Sequence, residues 1–273
     1  MTTAPLPADA GRIRAALALP SFWTLVHTVA ETGSTNRDVA QAAQEGMPEG
    51  YALISEHQTA GRGRFERRWQ APPGASVGLS VLLRPTRPFT DWSWLALLAG
   101  LAVQRAVRVT SPQASGRVVL KWPNDVLIQG EPGPGKLCGI LCERVETPTG
   151  PAAVLGVGIN IALAPEELPV PTATSLAGAG LNADKDAVLS GVLDNLAELY
   201  QVWAQRGHLR EAYGRECATI GQDVRVQLDE KTNVLGRAVG VDESGALQVR
   251  THEGVRTFVA GDVFHLRPTG AAQ

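Results

Sequence analysis

A series of strand-like segments between residues 117 and 163 constrains the fold most strongly. Four stretches there are rich in β-branched and aliphatic residues, a composition typical of β-strands. A turn rich in glycine and proline, QGEPGPGK (129–136), separates two of them. Two earlier stretches show the same pattern. The chain is therefore predicted to fold around a β-sheet whose strands include RVVLKWPND (117–125), DVLIQ (125–129), KLCGILCERVE (136–146), AAVLGVGINIAL (152–163), YALISEH (51–57) and VGLSVLLR (77–84).

Three helices are predicted around these strands. The first begins near Thr35, where Thr-Asn-Arg-Asp has the spacing of a capping box, and ends near Gly46. The second is DWSWLALLAGLAVQRAV (91–107), a long and mostly buried helix. Its uncharged run, residues 92–104, is too short for the roughly 20 residues of a membrane span. The third helix covers residues 183–205, where apolar residues recur with a 3.6-residue period.

The pattern changes again after residue 220. Short strand-like stretches separated by the turns DESG and HEG predict a small barrel-like module. A chain of 273 residues suits one large and one small domain, so we expect domains at 1–220 and 221–273. The strands predicted for the small domain are DVRVQL, VLGRAVGV, ALQVR and VRTFVA.

Composition places the chain among ordinary soluble globular proteins. With 44% hydrophobic residues, 19% charged residues and a net charge of -2, its bulk charge indicates no particular partner. Three cysteines, in a chain without the layout of a secretory leader, indicate a reducing compartment, and the cytoplasm is expected. Cys138 and Cys142 are interpreted as small core residues on one strand face, because no second Cys or His pair lies nearby in sequence.

Residues 61–69, GRGRFERRW, form a dense cationic loop in this nearly neutral chain. The loop lies between two predicted strands and contains four arginines and two glycines. Three interpretations compete: a nucleic-acid patch, a solvated turn, or a clamp for a small anion. Trp69 at the end of the loop and Lys136, one of only four lysines in the chain, favour a nucleotide site.

Four other stretches place polar groups or glycines at the ends of elements. STN (34–36) offers hydroxyls and an amide at a helix start, although simple capping by Thr35 accounts for one of them. KWPNDV (121–126) suits a turn as well as a site. KLCGILCE (136–143) begins with a strand-end lysine. GVGIN (156–160) permits close backbone approach but equally suits a packed strand, and it fits neither the phosphate-loop nor the dinucleotide pattern.

In this order, the five stretches STN, QTAGRGRFERRW, KWPNDV, KLCGILCE and GVGIN resemble the biotin protein ligases. The resemblance implies an α+β fold, with a mixed or antiparallel sheet and helices on one side, like the class II aminoacyl-tRNA synthetases. A small C-terminal SH3-like β-barrel would follow. It also implies an ATP-dependent ligase that activates biotin as biotinyl-5'-AMP. The biotin would then pass to a lysine of a biotin carboxyl carrier protein, such as that of acetyl-CoA carboxylase.

The resemblance further implies roles for individual residues. Residues 34–36 would bind the ureido ring of biotin, and Lys136 would contact the biotin carboxylate and the phosphate as they combine. Arg67 and Trp69 would face the nucleotide, with the indole stacked on adenine. The expected catalytic residues are Lys136, Arg62, Arg64 and Asp125. The expected binding residues are Ser34, Thr35, Asn36, Gln58, Gly61, Arg62, Gly63, Arg64, Arg67, Trp69, Lys121, Asn124, Lys136, Gly139 and Asn160.

ATP and biotin are the implied substrates, with Mg²⁺ carried by the ATP phosphates. No dedicated metal site is expected. Asp125 is only a candidate for contacting the ion, since it would serve equally well by fixing its loop. The arginine loop is predicted to fold over the adenylate, as a lid against water and as a charge clamp.

Two features depart from the family pattern. Glu66 stands where glycine is common, and we expect its carboxylate to point outward or to pair with Arg67 or Arg68. The extra EPGPG (131–135) lengthens a hairpin, which a loop absorbs without moving the strand ends.

The sequence also bears on two alternative functions. Lipoate or octanoate ligases and transferases share the fold, but they have an arginine followed by a run of glycines, and this chain has no Gly-Gly pair. A biotin-responsive DNA-binding regulator is the alternative from another class. The 33 residues before Ser34 are too few for a winged-helix domain, so no DNA binding is expected. No membrane partner is expected either, and a homodimer is left open.

Overall fold

A seven-stranded sheet is the largest element of the computed structural model, which describes residues 7–131, 133–168, 170–229 and 231–266. Its strands are β1 (Leu25–Thr32), β2 (Tyr51–Gln58), β3 (Ser76–Leu83), β4 (Val118–Lys121), β5 (Asp125–Ile128), β6 (Gly135–Val145) and β7 (Ala152–Asn160). They lie in the order β1-β2-β3-β7-β6-β5-β4. β1 pairs with β2 in parallel, and every other neighbouring pair is antiparallel. The predicted mixed sheet is therefore confirmed.

The α-helices of the described residues include the three predicted ones. The longest, α4, begins after Asp184, whose carboxylate accepts hydrogen bonds from the backbone N–H groups of Asp186 and Ala187. It ends at Gly207, whose φ of 87° closes the helix in the left-handed conformation that glycine tolerates. None of these helices has the length and apolar content required of a membrane span. The helices are α1 (Ala10–Ala16), α2 (Thr35–Gln44), α3 (Ser93–Thr110), α4 (Lys185–Arg206) and α5 (Arg210–Glu216).

Helices cover the large sheet on both faces. α3 packs against one face and α4 packs on α3, in the same core as alternate strand residues such as Ala52 and Ile54. α2 packs on the opposite face, where its Val39 and Ala43 meet Leu53 of β2. The predicted placement of the helices on one side of the sheet is therefore correct for α1, α3 and α4, whereas α2 lies on the other side. The difference arises because the central strands bury apolar side chains on both faces.

The cysteines lie where the sequence analysis predicted. Cys138 is fully buried in the core, and Cys142 packs against the same core two pairs of residues further along β6. Burial raises the pKa of both thiols, that of Cys142 to about 12. Within the described residues, no group of three or more His, Cys, Asp or Glu side chains is placed to hold a metal ion.

A smaller antiparallel sheet follows, with the order β11-β10-β9-β8-β12. Four of its strands correspond to the four predicted ones. The fifth, β12, was not predicted. It pairs with β8 and is the edge strand on that side of the sheet. The strands are β8 (Asp223–Gln227), β9 (Asn233–Val241), β10 (Leu247–Thr251), β11 (Gly254–Phe258) and β12 (Asp262–His265).

Two tryptophans join the small sheet to the large one. Trp94 Nε1 of α3 donates to the Glu243 carbonyl at 2.7 Å, and Trp122 Nε1 donates to the Gly245 carbonyl at 3.0 Å. Both acceptors lie in the turn between β9 and β10, and both indoles are buried. Their N–H groups are therefore satisfied by this one turn, and a continuous apolar core runs beneath both sheets.

A second contact between the sheets involves His265 at the end of β12. Its Nε2 lies 3.0 Å from Thr219 Oγ1, which also accepts a hydrogen bond from the Trp122 backbone N–H at 3.1 Å. Burial lowers the pKa of His265, and the neighbouring Lys121 ammonium lowers it further. The imidazole is therefore neutral at physiological pH.

We predict that this contact makes stability depend on mildly acidic pH. Because the pKa of His265 is lower in the folded state, its contribution is fully present above the unfolded value of about 6.5 and is lost as the pH falls below it. Thermal unfolding should therefore show a larger drop in Tm between about pH 7.5 and about pH 5 for the natural protein than for His265→Gln. Equal drops in the two proteins would show that His265 does not contribute.

Candidate functional site

The predicted site residues converge on one cavity of about 390 Å³. It lies between the α2 face of the large sheet, the arginine loop (residues 61–69) and strand β12. Every residue predicted to bind or catalyse lines it except Gly61, whose carbonyl accepts from the Trp69 backbone N–H at 2.9 Å and so closes the loop. The lining members are Ser34, Thr35, Asn36, Gln58, Arg62, Gly63, Arg64, Arg67, Trp69, Lys121, Asn124, Asp125, Lys136, Gly139 and Asn160.

The floor of the cavity is a row of glycines. Gly78, Gly158 and Gly139 pair with one another across the neighbouring strands β3, β7 and β6. A Cβ atom at Gly158 would lie 2.6 Å from Cε2 of Trp69, and one at Gly139 would lie 3.1 Å from Cζ3. The indole thus lies against bare backbone. Close approach, one of the two interpretations left open for GVGIN, is what this face of β7 provides.

The N-terminus of α2 forms a polar end of the cavity. Thr35 donates to Gln58 Oε1 from its backbone N–H at 2.9 Å and lies within 3.1 Å through Oγ1. Ser34 is the residue at the N-cap, not Thr35, and its side chain makes no capping hydrogen bond. Simple N-capping therefore does not account for these hydroxyls.

Asn36 lies at the same end, but the protein already uses its amide. Nδ2 donates to Glu143 Oε2 at 2.7 Å and to the Leu141 carbonyl at 3.3 Å, while Oδ1 lies 2.6 Å from Ser80 Oγ. The side chain is buried, with the residue only 5% exposed. In this arrangement Asn36 fixes its neighbours, because both N–H groups of its amide and its amide oxygen already have partners within the protein.

The arginine loop is a compact hairpin and not an open coil. Gly63 N–H donates to the Arg67 carbonyl at 2.6 Å, and Arg62 bridges to Arg68. At its tip, Phe65 has a φ of 53°, which is uncommon for a residue with a side chain. The predicted orientation of the Glu66 carboxylate lies outside the described part of the structure.

Strand β12 holds the loop from the small sheet. Arg67 forms an ion pair with Asp262, and Arg64 Nη1 donates to the Gly261 carbonyl at 3.3 Å. Arg64 Nη1 also donates to Asn124 Oδ1 at 3.3 Å. The small sheet is therefore part of the cavity wall and holds the predicted anion clamp in place.

Two lysines approach the cavity from the other side. Lys136 Nζ lies 2.6 Å from Asp125 Oδ1, an oxygen that is buried and, among the residues that the structure describes, makes no hydrogen bond beyond this ion pair. Burial lowers the pKa of Lys121, while Asp125 opposes and Lys136 adds to this shift. Burial likewise lowers the pKa of Arg64. The cations are thus partly desolvated and close together, a state that an anionic ligand would relieve.

The charge of the lining is strongly positive although the chain carries only -2. Six cationic side chains and two carboxylates line the cavity, so it attracts anions. These groups are Arg62, Arg64, Arg67, Arg68, Lys121, Lys136, Asp125 and Asp262.

The sequence analysis missed two acidic residues of this region. Glu143 was within the quoted KLCGILCE stretch, and it lies two residues from Leu141 and four from Gly139 on the same strand. Because alternate strand residues share a face, this spacing was the signal that would have found it. Asp262 had no such signal, since its strand was not predicted and its partner Arg67 lies 195 residues away.

Two family models match this chain. Residues 30–160 match the Biotin/lipoate A/B protein ligase family, and residues 219–266 match the Biotin protein ligase C terminal domain. The Biotin--[acetyl-CoA-carboxylase] ligase of Mycobacterium tuberculosis is 43% identical over 253 residues, which cover 90% of this chain and 91% of that protein. The Bifunctional ligase/repressor BirA of Bacillus subtilis is 32% identical, over 84% of this chain and 70% of that protein.

A solved structure shows the same fold. The biotin protein ligase from Aquifex aeolicus in complex with biotin and ATP aligns with a TM-score of 0.73 at 25% identity, covering 90% of this chain and all of the other. Fold and site together define a protein of the biotin and lipoate ligase class. Within that class, the extent and identity of the match to the M. tuberculosis relative show that the chain belongs to the biotin protein ligase family.

We predict that the bare floor is required for nucleotide binding. In Gly158→Ala, the new methyl group would lie 2.6 Å from the Trp69 ring and displace it. The affinity for ATP, measured by calorimetry, should therefore fall about tenfold. Gly130→Ala is the matched control, because nothing lies within 4 Å of a Cβ atom there. Equal ATP affinity in the two variants would rule out a role for this indole in the nucleotide site.

Proposed function

We propose that this protein is an ATP-dependent ligase that activates biotin as biotinyl-5'-AMP and attaches it to a lysine of a carrier protein. The observation that carries the proposal is the single cavity that joins a polar helix start, a glycine floor and six cationic side chains. The polar helix start suits the small polar ring system of biotin. The glycine floor suits the flat base of the nucleotide, and the cationic side chains suit its polyphosphate. The printed names of the M. tuberculosis and A. aeolicus relatives, with biotin, ATP and acetyl-CoA carboxylase, support the same assignment.

The first reaction joins two anions. A carboxylate oxygen of biotin attacks the α-phosphorus of ATP, the bond from that phosphorus to the bridging oxygen of pyrophosphate breaks, and pyrophosphate leaves. Charge accumulates at the phosphorus, and cations already in place stabilise it more than mobile water does. We assign this role to Lys136, Arg62 and Arg64. The Lys136–Asp125 pair holds the ammonium at the strand end before any substrate arrives.

Biotin is proposed to lie with its ureido ring at the start of α2. Ser34 and Gln58 are the side chains best placed to contact the ring. Gln58 Nε2 lies directly over Gly78, only 2.6 Å from where a Cβ atom on that glycine would be. Thr35 orients the Gln58 amide by bonding to its Oε1. Asn36 supports this end from below.

The nucleotide is proposed to lie over the glycine floor. Trp69 supplies an aromatic surface for adenine, and its Nε1 is buried without a hydrogen-bond partner among the described residues. Arg67, Lys121 and Asn124 would contact the phosphates and ribose. Asn160 has a supporting role, because its Nδ2 donates to the Lys136 carbonyl at 3.3 Å and the Thr174 carbonyl at 2.9 Å.

Magnesium fits this site as a companion of ATP. A protein-built cage would need several carboxylates, whereas Asp125 is a single one with a lysine beside it. Asp125 Oδ1, which pairs with Lys136 in the cavity wall, would be a contact for an ion held mainly by phosphate and water. Bound there, Mg²⁺ would neutralise phosphate charge.

The second reaction transfers biotin to the carrier. A neutral lysine amine attacks the acyl carbon of the adenylate, the bond from that carbon to the phosphate oxygen breaks, and AMP leaves. Water competes as a nucleophile, so closure of the arginine loop over the adenylate protects it. The proposed acceptor is a biotin carboxyl carrier domain, such as that of acetyl-CoA carboxylase. We further propose a cytoplasmic setting, a division of the chain near residue 220 and no binding of DNA.

Adenylation can be tested by biotin-dependent exchange of labelled pyrophosphate into ATP. We expect exchange with biotin but not with lipoate or octanoate, and a loss of at least about 100-fold in Lys136→Ala, since a charge facing the transferred phosphorus is removed. Lys231→Ala, at an exposed lysine between β8 and β9, should retain full exchange. Exchange driven by lipoate would assign the site to the related ligases.

Loop closure can be tested with trypsin, which cleaves after arginine. Biotin with ATP should slow cleavage within residues 61–68 by about tenfold or more, because a closed loop must open locally before it is cut. Each substrate alone serves as a comparison. Cleavage at the same rate with and without both substrates would show that the loop is not a lid.

A further inference from the structure

Glu143 contacts two parts of the site that come from different elements. Its Oε1 lies 3.0 Å from Arg62 Nη2, and its Oε2 accepts from Asn36 Nδ2 at 2.7 Å. The Glu143 side chain is 33% exposed and that of Arg62 is 51% exposed. One carboxylate of β6 therefore ties the start of the arginine loop to the first turn of α2.

This tie extends into a chain of polar side chains buried between α2 and β3. Ser80 Oγ lies 2.6 Å from Asn36 Oδ1 and 2.7 Å from Thr35 Oγ1, and Thr35 in turn meets Gln58. Ser80, Thr35 and Asn36 are all buried. Buried hydrogen bonds of this kind restrict each side chain to one orientation. The orientation of Arg62 is thereby linked to that of Gln58, which lies at the other end of this series of hydrogen bonds.

The charge of Glu143 is what permits both contacts. A carboxylate accepts from Arg62 and Asn36 at the same time, whereas a glutamine would accept from one and present its own N–H groups to the other. Asn36 is buried and loses more without a partner than Arg62, which can turn to water. Neutralising residue 143 should therefore release Arg62.

We propose that Glu143 is a positioning residue that holds the Arg62 guanidinium in the cavity wall, ready for an anionic ligand, before the ligand arrives. The inference rests on the proposed function. Glu143 uses only Nη2 of the guanidinium, so the other N–H groups stay available to an anion. The same carboxylate keeps the Asn36 amide turned toward Ser80. Occupation of the ureido end and placement of Arg62 are then prepared by one side chain.

Glu143→Gln tests the tie directly. In the ligand-free protein, trypsin should cleave after Arg62 several times faster than in the natural protein, and the Kd for biotin should rise about tenfold. Glu146→Gln is the matched control, because Glu146 pairs with Arg144 at the surface at 2.7 Å. Biotin binding by Glu143→Gln as tight as that of the control would overturn the proposal.

A double-mutant cycle separates positioning from general support of the fold. If Glu143 acts through Arg62, adding Glu143→Gln to Arg62→Gln should change the Kd for biotin less than about twofold. A persistent tenfold loss in that background would make Glu143 a structural residue only. Should Glu143→Gln fail to fold, Glu143→Asp provides the same comparison, since its shorter side chain keeps the charge but cannot span both partners.

Failure of this inference can be distinguished from failure of the proposed function. If the natural protein binds no biotin, the function is wrong, while the trypsin comparison of ligand-free proteins still reports on the tie. If the natural protein binds biotin and the tryptic rate and Kd of Glu143→Gln are unchanged, the function stands and the role of Glu143 is refuted.

Discussion

Where they line the cavity, the central strands of the large sheet have to be densely packed on one face and almost bare on the other. On β3, Val77 and Leu79 enter the core beside α3, while Gly78 between them carries no side chain. The same alternation on β7 places Val157 in the core and Gly158 in the cavity. Because these strands are anchored by their apolar face, the opposite face can stay open without loss of the core. Cavity, indole position and loop placement all depend on this asymmetry.

Three of the six cations that line the cavity are paired in advance with carboxylates from three separate elements. Asp125 of β5 holds Lys136, Asp262 of β12 holds Arg67, and Glu143 of β6 holds Arg62. Such pairs add little to stability where they are exposed to water, but they fix long side chains that would otherwise sample many rotamers. The six cations of the cavity outnumber these three carboxylates, so a net positive charge remains to attract a polyphosphate. The pairs therefore reduce the ordering cost of binding without cancelling the attraction.

Local signals predicted much of this arrangement. The local sequence predicts the strand periodicity, the helix start near Thr35 and the motif spacing, because each depends on neighbours within a few residues. The position of α2 on the second face was not readable, since a helix pattern does not state which side of a sheet it covers. Strand β12 was not predicted because only Val263 and Phe264 of its four residues are apolar, whereas the equally short β4 and β5 each have three apolar residues. Contacts such as Arg67 with Asp262 join distant parts of the chain, and no local pattern encodes them.

The state of the cysteines bears on how the loop can be observed. Burial raises the pKa of Cys138, and it raises that of Cys142 to about 12, while Cys217 is buried against the core. Cys138 and Cys142 therefore react slowly with alkylating dyes, because the thiolate is the nucleophile, and burial shields Cys217 from the dye. A single cysteine introduced at the exposed Phe65 would then label selectively. The fold thus supplies a chemically silent background on which opening and closing of one hairpin can be followed by fluorescence.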